Sequence, residues 1–185
     1  MHDITVLTLV RDSEETLDRC LESASWADDV FVVIDPRSKD RSREIAQKHT
    51  DHLVEHEFLN PGNQRNWAIP QIETEWTLVL DSDEWLLPEL VERIQRIIAD
   101  DSSLNGYEVK RRTYFFGKII NHCGWHRDYN LRLFRTQKGR YNKKRNHERI
   151  EVQGEVGYIH EPMMHDTYRS FDEYMIALDR FSTWG

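Results

Sequence analysis

An apolar run that ends in a cluster of acidic side chains lies near the middle of the chain, as Trp76-Thr77-Leu78-Val79-Leu80-Asp81-Ser82-Asp83-Glu84. The run is typical of a buried strand. Because side chains alternate along a strand, Asp81 and Asp83 would project to the same side if the extended conformation persists. Two such carboxylates suit Mg²⁺ or Mn²⁺, which prefer oxygen ligands and keep positions open for substrate phosphates. The alternative is that the acidic residues cap a helix predicted to begin near Pro88.

The segments before this run alternate between strand and helix patterns. Apolar runs predict strands at residues 4–10, 30–34 and, more weakly, 52–58. Helical patterns follow the first two strands, and a short helix is predicted at residues 63–69. Strands separated by helices imply right-handed βαβ crossovers and a doubly wound, mostly parallel, Rossmann-like α/β sheet. Ligands of such sheets bind beyond the carboxyl ends of the strands, where Asp35 and Asp81 both fall.

The pattern changes after the acidic cluster. A helix is predicted from Pro88, with an apolar face formed by Leu87, Val91, Ile94 and Ile98. Further on, short strands are predicted at residues 107–110, 131–134, 149–152 and 155–159. These strands indicate a smaller mixed or antiparallel C-terminal region. Ser170 and Glu173 form a capping-box pair that opens a last helix.

Composition and charge exclude several classes of protein. A chain of 185 residues with 38% hydrophobic and 31% charged residues predicts one soluble globular domain. A net charge of -8 disfavours nucleic acid as the main partner. No apolar run approaches the roughly 18 to 20 residues of a membrane span, and no leader precedes the first strand, so we expect a cytoplasmic location. Cys20 and Cys123 are far apart and are most simply reduced thiols.

An ordered set of motifs resembles glycosyltransferase family 2. The motifs are Ile4-Thr5-Val6-Leu7-Thr8-Leu9-Val10, Val32-Val33-Ile34-Asp35 with Ser38-Lys39-Asp40, Asn63-Gln64-Arg65-Asn66, and Leu78-Val79-Leu80-Asp81-Ser82-Asp83-Glu84. Three later motifs resemble the branch that contains lipopolysaccharide-core β-glucosyltransferases: Leu131-Arg132-Leu133-Phe134-Arg135, Asn146-His147-Glu148 and Met164-His165-Asp166-Thr167-Tyr168.

The resemblance implies a GT-A fold that transfers a sugar from a nucleotide donor with inversion at the anomeric carbon. It divides the single domain into a nucleotide-sugar-binding half, residues 1–104, and an acceptor-side half, residues 105–185. The last helix ends abruptly, which suggests that a C-terminal segment is missing.

The resemblance also implies roles for donor-binding residues. Asp35 would accept a hydrogen bond from a uracil-type ring N–H, with Asp40 in the same loop, although a turn residue at a strand end is the alternative for Asp35. The family usually has Asp-x-Gly-Ser-x-Asp-Gly here, whereas this chain has Arg37 and Arg41 in place of the two glycines. Arg65 would pair with a donor phosphate or steady Asp35, or would simply lie on a solvated helix face.

The metal site implied by the resemblance joins two parts of the chain. Asp81 and Asp83 carry over as the metal motif, with Asp83 favoured for direct coordination and Asp81 also counted as donor-binding. His165 matches the C-terminal histidine that completes the metal shell in many GT-A enzymes, and a structural histidine is the alternative. Mn²⁺ or Mg²⁺ would stabilise the charge that grows on the departing nucleoside diphosphate.

Inverting transfer also needs a base that removes the proton from the acceptor hydroxyl. Glu148 lies where the family places its catalytic acid, and His147 is the second choice. The alternative is that Glu148 is a surface carboxylate that neutralises its basic neighbours Lys138, Arg140, Lys143, Lys144, Arg145 and Arg149. This basic segment is either solvated or binds an anionic acceptor or the donor diphosphate.

The remaining features are less specific. Trp125 and Tyr129 could stack on a sugar ring or be ordinary aromatic residues. His122, Cys123 and His126 lack a fourth ligand at a spacing that suits zinc.

The resulting hypothesis is a metal-dependent, inverting glycosyltransferase that uses a nucleotide-sugar donor, expected to be UDP-linked. Its acceptor would be a glycan or glycolipid of the bacterial envelope, and peripheral contact with the inner face of the cytoplasmic membrane is compatible with this hypothesis. A non-catalytic module that binds nucleotide sugars and a metal-dependent phosphohydrolase are the alternatives.

Overall fold

The parallel half of the central sheet is built from the N-terminal residues. The computed structural model describes residues 3–100, 103–120, 122, 127–142, 149–168 and 170–182, of which 180–182 are described by their backbone alone. The first strands are β1 (Ile4–Val10), β2 (Asp29–Ile34), β3 (Leu53–Glu55) and β4 (Trp76–Val79). They lie in the order β3-β2-β1-β4, and every pair is parallel. This arrangement confirms the predicted doubly wound half, although β3 and β4 are shorter than the sequence indicates.

Helices connect these parallel strands. The sequence places α1 (Leu17–Ala24) after β1, α2 (Ser42–His49) after β2, and α3 (Pro61–Ala68) with a 3-10 turn (Ile69–Gln71) before β4. Asn60 caps α3, because its side chain accepts a hydrogen bond from the backbone N–H of Asn63, and Pro61 occupies the first turn.

The second half of the sheet mixes strand directions. Its elements are β5 (Glu84–Trp85), β6 (Gly106–Phe115), β7 (Lys118–Ile119), β8 (Tyr129–Arg135), β9 (Gly139–Tyr141), β10 (Ile150–Val152) and β11 (Val156–Tyr168). From β4 the order continues β8-β6-β11-β5, and β7 pairs with β6. β8 is antiparallel to β4 and β6, β11 is parallel to β6, and β5 is antiparallel to β11. Among the described strands of this region, β9 and β10 form a separate sheet and the others extend the main sheet.

Apolar side chains pack on both faces of the sheet. On one face, α1, α2 and α4 (Pro88–Ala99) cover a core that includes Ile4, Val6, Val32, Trp76 and Leu78. On the other face, α3, the 3-10 turn and the β9–β10 hairpin cover a core that includes Leu7, Phe31, Val33, Val79 and Phe134. Successive residues of the parallel strands alternate between the two cores, which explains why these strands carry apolar side chains on both faces.

The helix after the acidic cluster differs from the prediction in its buried face. The fully buried residues of α4 are Leu90, Ile94 and Ile97, whereas Val91 and Ile98 pack only at the margin of the core. The helix begins at Pro88, and Leu87 at the cap position makes no side-chain hydrogen bond. The acidic cluster therefore does not cap α4, and this alternative reading is wrong.

The last helix, α5 (Phe171–Ser182), begins as the sequence predicts. The Ser170 hydroxyl accepts a hydrogen bond of 3.2 Å from the backbone N–H of Glu173. In the part of the chain that the structure describes, no helix is both long enough and apolar enough to cross a bilayer.

Candidate functional site

The backbone turns within the acidic cluster, so the extended conformation does not persist there. The Glu84 N–H donates to the Asp81 carbonyl at 2.9 Å, which closes a turn over Ser82 and Asp83. The chain then enters β5, which pairs with β11 so that Glu84 faces His165. As a result Asp81 and Asp83, which were both predicted as metal ligands, contact different partners.

Asp83 and His165 lie side by side. The Nε2 atom of His165 is 3.4 Å from the Oδ2 atom of Asp83, and the Asp166 N–H donates to the Asp83 carbonyl at 3.0 Å. The other ring nitrogen, Nδ1, lies 3.3 Å from the Thr113 hydroxyl. The side chain of Asp83 is 39% exposed and that of His165 is 13% exposed, so the pair is accessible from one side.

This pair fits a divalent cation that takes most of its ligands from elsewhere. Mg²⁺ is usually held by one or two protein groups together with water and substrate phosphates. The described residues contain no cluster of three or more His, Cys, Asp or Glu side chains that could enclose a metal without such help. The donor set therefore suits a metal that arrives with a phosphorylated ligand.

Asp81 takes part in an ion network with two largely buried arginines, and its own side chain is 33% exposed. Its Oδ2 atom accepts a hydrogen bond of 2.7 Å from Arg132, and its Oδ1 atom pairs with Arg65. Burial alone would raise the pKa of Asp81, but the two guanidinium groups outweigh this effect and hold the pKa well below its usual range. The carboxylate is thus fully ionised and neutralised by arginine, which does not support the prediction that Asp81 binds the metal.

Arg132 also binds the buried carboxylate of Glu84, at 2.6 Å. Burial raises the pKa of Glu84, against the lowering influence of Arg132. The Nε atoms of Arg65 and Arg132 are buried and have no hydrogen-bond partner among the described residues. Sequence reasoning did not assign Arg132 a role, although a charged residue between Leu131 and Leu133 in an apolar strand is a signal that could have been used.

The predicted nucleobase contact, Asp35, is fully buried at the end of β2 and is bound by arginine. The Arg37 guanidinium donates from Nε to Oδ1 at 3.0 Å and from its NH2 group to Oδ2 at 2.8 Å. The Arg37 backbone N–H adds a third bond to Oδ1, and Arg11 lies 3.5 Å from Oδ2. The hydrogen bonds from Arg37 hold the pKa of Asp35 below its ordinary value, although burial opposes them.

Asp40 fastens its loop to the start of the first helix. Its carboxylate accepts hydrogen bonds from the backbone N–H groups of Glu14 and Ser42, at 2.8 and 3.0 Å, and from the Ser38 hydroxyl at 3.3 Å. Burial would raise the pKa of Asp40, but the hydrogen bonds from Ser42 and Glu14 lower it below its ordinary value. Asp40 also lines the cavity beside Asp83, and its predicted part in donor binding stays a prediction.

An open cavity of about 400 Å³ lies beside Asp83. Carboxylates dominate its wall, whose residues are Asp12, Ser13, Glu14, Glu15, Thr16, Asp40, Ser82, Asp83, Asp166, Thr167 and Glu173. Seven of these eleven residues are acidic, so the cavity favours a cation and repels a free anion.

The predicted bases, Glu148 and His147, lie outside the described residues, as do Lys143, Lys144, Arg145, Cys123, Trp125 and His126. The strands that flank residues 143–148 in sequence are described. Tyr141, in β9, exchanges two hydrogen bonds of 2.8 Å with the side chain of Asn66 on α3. The Arg65 guanidinium carbon lies 4.9 Å from the centre of the Tyr141 ring. The hairpin therefore starts directly beside the ion network of Asp81.

Tyr129 belongs to a surface aromatic group. Its hydroxyl lies 2.8 Å from Nδ1 of His160, and its ring meets the edge of Tyr158. His122 is exposed and belongs to no described metal cluster.

Comparisons with known proteins agree on the family of this chain. The model of Glycosyl transferase family 2 matches residues 5–164. The lipopolysaccharide core biosynthesis glycosyltransferase LpsC of Rhizobium meliloti (strain 1021) is 26% identical over 187 residues, which cover 97% of this chain and 69% of LpsC.

Solved structures show the same fold. S. aureus TarS 1-349 in complex with UDP superposes with a TM-score of 0.50 at 23% identity, over 64% of this chain and 38% of TarS. Glucosyl-3-phosphoglycerate synthase from Mycobacterium tuberculosis, in complex with Mg²⁺ and UDP, gives 0.50 at 15% identity, over 57% of this chain and 42% of the synthase. The chain thus spans less than half the length of these solved proteins. The predicted GT-A fold is confirmed, and with the family model covering most of its length this chain belongs to glycosyltransferase family 2.

Proposed function

We propose that this chain is a metal-dependent, inverting glycosyltransferase whose donor is a nucleotide sugar, and that the nucleotide is UDP. The observation that carries the proposal is the pairing of Asp83 with His165 at the edge of an acidic cavity. The two solved structures with bound UDP support the choice of nucleotide, and one of them also contains Mg²⁺.

Asp83 and His165 would hold Mg²⁺ or Mn²⁺. The cation would supply charge stabilisation to the departing nucleoside diphosphate. The acidic cavity gives a reason for metal dependence, because a diphosphate that enters alone would meet the negative charge of seven carboxylates. Thr113, at 3.3 Å from Nδ1 of His165, would orient the ring so that Nε2 faces the metal.

Asp81 and Arg65 would stabilise the backbone that carries the donor site. Arg65 and Arg132 neutralise Asp81, and this fixes the strand end from which the turn to Asp83 begins. A rigid turn keeps Asp83 in place while the donor binds, which lowers the cost of assembling the site. We therefore assign Asp81 and Arg65 to positioning, and we keep direct metal contact for Asp83 and His165.

Glu148 would remove the proton from the acceptor hydroxyl as that oxygen attacks the anomeric carbon, with His147 as the second candidate. Support comes from the flanking hairpin, because Tyr141 packs against Arg65 within the same network as Asp81. Residues 1–104 would then bind the donor and residues 105–185 would face the acceptor.

The acceptor that we propose is a glycan or glycolipid of the bacterial envelope. This choice is supported by the similarity to LpsC of Rhizobium meliloti over nearly the whole chain. Transfer would take place in the cytoplasm, either in solution or at the inner face of the membrane.

Calorimetric titration with UDP, with and without Mn²⁺, tests the proposal. We expect binding that requires Mn²⁺ and that is lost in Asp83→Asn. Glu15→Gln, which removes another carboxylate from the wall of the same cavity, should retain binding. Failure of the protein to bind any nucleotide sugar, with or without metal, would refute the proposal. Binding without sugar transfer to any acceptor would favour a non-catalytic module.

A further inference from the structure

Asp35, the carboxylate that was predicted to contact the nucleobase, is covered by the neighbouring side chain of Arg37. Arg37 makes a two-point contact with Asp35, through Nε to Oδ1 at 3.0 Å and through the NH2 group to Oδ2 at 2.8 Å. Asp35 is 0% exposed, so its oxygens have no access to solvent. Protein donors contact both oxygens of this carboxylate, so a ligand that hydrogen-bonds Asp35 would have to displace Arg37.

The Arg37 guanidinium is itself fixed in this position. Its NH2 group also donates to the Phe58 carbonyl at 2.7 Å, and its NH1 group lies 3.5 Å from the Glu57 carboxylate. The side chain remains 46% exposed, so it forms the solvent-facing cover of Asp35. Glu57 offers a second anionic partner if Arg37 moves away from Asp35.

A neutral base would compete poorly for Asp35. A two-point bond between arginine and a carboxylate is charged on both sides, and charge-assisted hydrogen bonds are roughly twice as strong as neutral ones. The ring N–H of uracil is a single neutral donor. To reach Asp35 it must break the contacts of Arg37, and the free energy gained from the new bond is offset by this loss.

Cytosine presents different hydrogen-bonding groups to Asp35. Its ring nitrogen at the matching position accepts and does not donate, so that nitrogen makes no favourable bond to a carboxylate, and only the exocyclic amino group on the neighbouring ring carbon could donate to Asp35. Uracil therefore loses most of the advantage that an uncovered Asp35 would give it over cytosine.

We infer that Arg37 determines base specificity: it covers Asp35, and the chain consequently discriminates only weakly between uridine and cytidine diphosphates. This inference rests on the proposed function, because it concerns the donor site of that activity. It concerns a departure from the usual family pattern, since Arg37 stands at the first of the two glycine positions of the loop.

The second glycine position provides a matched control. Arg41 stands there and lies in the same loop, but it pairs with Glu14 at 3.2 Å and its side chain is 74% exposed. Arg41→Gly removes an arginine of the same loop without uncovering Asp35.

The test is a calorimetric comparison of UDP and CDP, both with Mn²⁺, on the wild type, Arg37→Gly and Arg41→Gly. For the wild type and Arg41→Gly we expect the two dissociation constants to agree within about threefold. Uncovering a buried carboxylate should favour UDP by about tenfold or more in Arg37→Gly, since a hydrogen bond to a charged group contributes that much.

Several outcomes would overturn the inference. A wild type that prefers UDP by tenfold, or an Arg37→Gly variant with an unchanged ratio, refutes it and leaves the proposed function standing. An equal change in Arg41→Gly also refutes it, because the effect would then belong to the loop as a whole. If no variant binds either nucleotide, the proposed function fails and the inference fails with it.

Arg37→Lys decides the matter if Arg37→Gly does not fold. Lysine keeps the charge but cannot form the two-point contact. The preference for UDP should rise in this variant, and an unchanged ratio refutes the inference.

Discussion

His165 and Asp83 come from opposite halves of the chain, yet Nε2 of the histidine lies 3.4 Å from Oδ2 of the aspartate. The short strand β5 creates this relationship by pairing with β11, which sets His165 opposite Glu84 and next to Asp83. A two-residue strand contributes little to stability, so its register matters mainly because it sets the position of these two side chains.

The first prediction concerns this histidine. His165→Gln should weaken Mn²⁺-dependent binding of UDP by about tenfold or more, because loss of even an outer-shell partner of a metal costs 10- to 100-fold in affinity. Titration of Mn²⁺ into the protein with UDP present measures the effect. His160→Gln, in the same strand but bound to Tyr129, is the control and should bind as the wild type does. Equal affinities for the wild type and His165→Gln would contradict the assignment.

The second prediction concerns the buried arginine of the ion network. Arg132→Met leaves Asp81 and Glu84 without their shared cation, so we expect the free energy of unfolding to fall by about 3–5 kcal/mol, as for other broken buried ion pairs. Urea unfolding followed by circular dichroism measures this change. Arg96→Met removes only an exposed helical pair with Glu92 and should cost under ~0.5 kcal/mol. Similar losses in the two variants would argue against the network.

The parallel half of the fold could be predicted from the sequence because its signals are local. Three of the four strands there are largely apolar runs, and Asp35 and Asp81 lie at or just beyond the ends of two of them. The turn at Ser82 could not be predicted, because it depends on pairing between β5 and the distant β11. Nor could the full length of β11 be foreseen, since Pro162 interrupts the pattern and the sheet accommodates it by a register shift between Ile159 and Met163.

The candidate site, too, could be predicted from the sequence only where its signals are local. Asp83 and His165 were predicted from motifs that resemble a family, and the structure brings them together. The position of Arg132 between two leucines is a local signal of burial, but the carboxylates that it binds come from another segment of the chain, and no local pattern indicates them. The contact between Arg37 and Asp35 is local, but its sequence signal is only the absence of a glycine.

The third prediction concerns the dependence of stability on pH. The pKa of Asp35 is lowered in the folded protein by the hydrogen bonds from Arg37, so Asp35 stabilises the fold above its unfolded pKa of about 3.9. This contribution should be lost as the pH falls from about 4 through the lower folded pKa. Urea unfolding between pH 3 and pH 6, as approximate limits, should show a shallower acid loss for Asp35→Asn than for the wild type. Asp51→Asn, at an exposed position, should keep the wild-type slope.

A fourth prediction concerns the hairpin that flanks Glu148. A Cβ atom at Gly139 would lie 2.2 Å from the ring of Phe134, which is fully buried, so an added methyl group must displace the ring or the strand. Gly139→Ala should therefore lower the free energy of unfolding by about 1–3 kcal/mol, the usual cost of overpacking. Chemical denaturation measures this loss.

A double-mutant cycle then tests its cause. Phe134→Leu by itself should destabilise the protein, but it should relieve part of the effect of Gly139→Ala, because the two substitutions act on one contact and are not additive. Strict additivity would show that the methyl group acts elsewhere. Since β9 leads into the segment that carries Glu148, the same substitution should also reduce sugar transfer more than it reduces UDP binding, provided that the hairpin positions the base and not the donor.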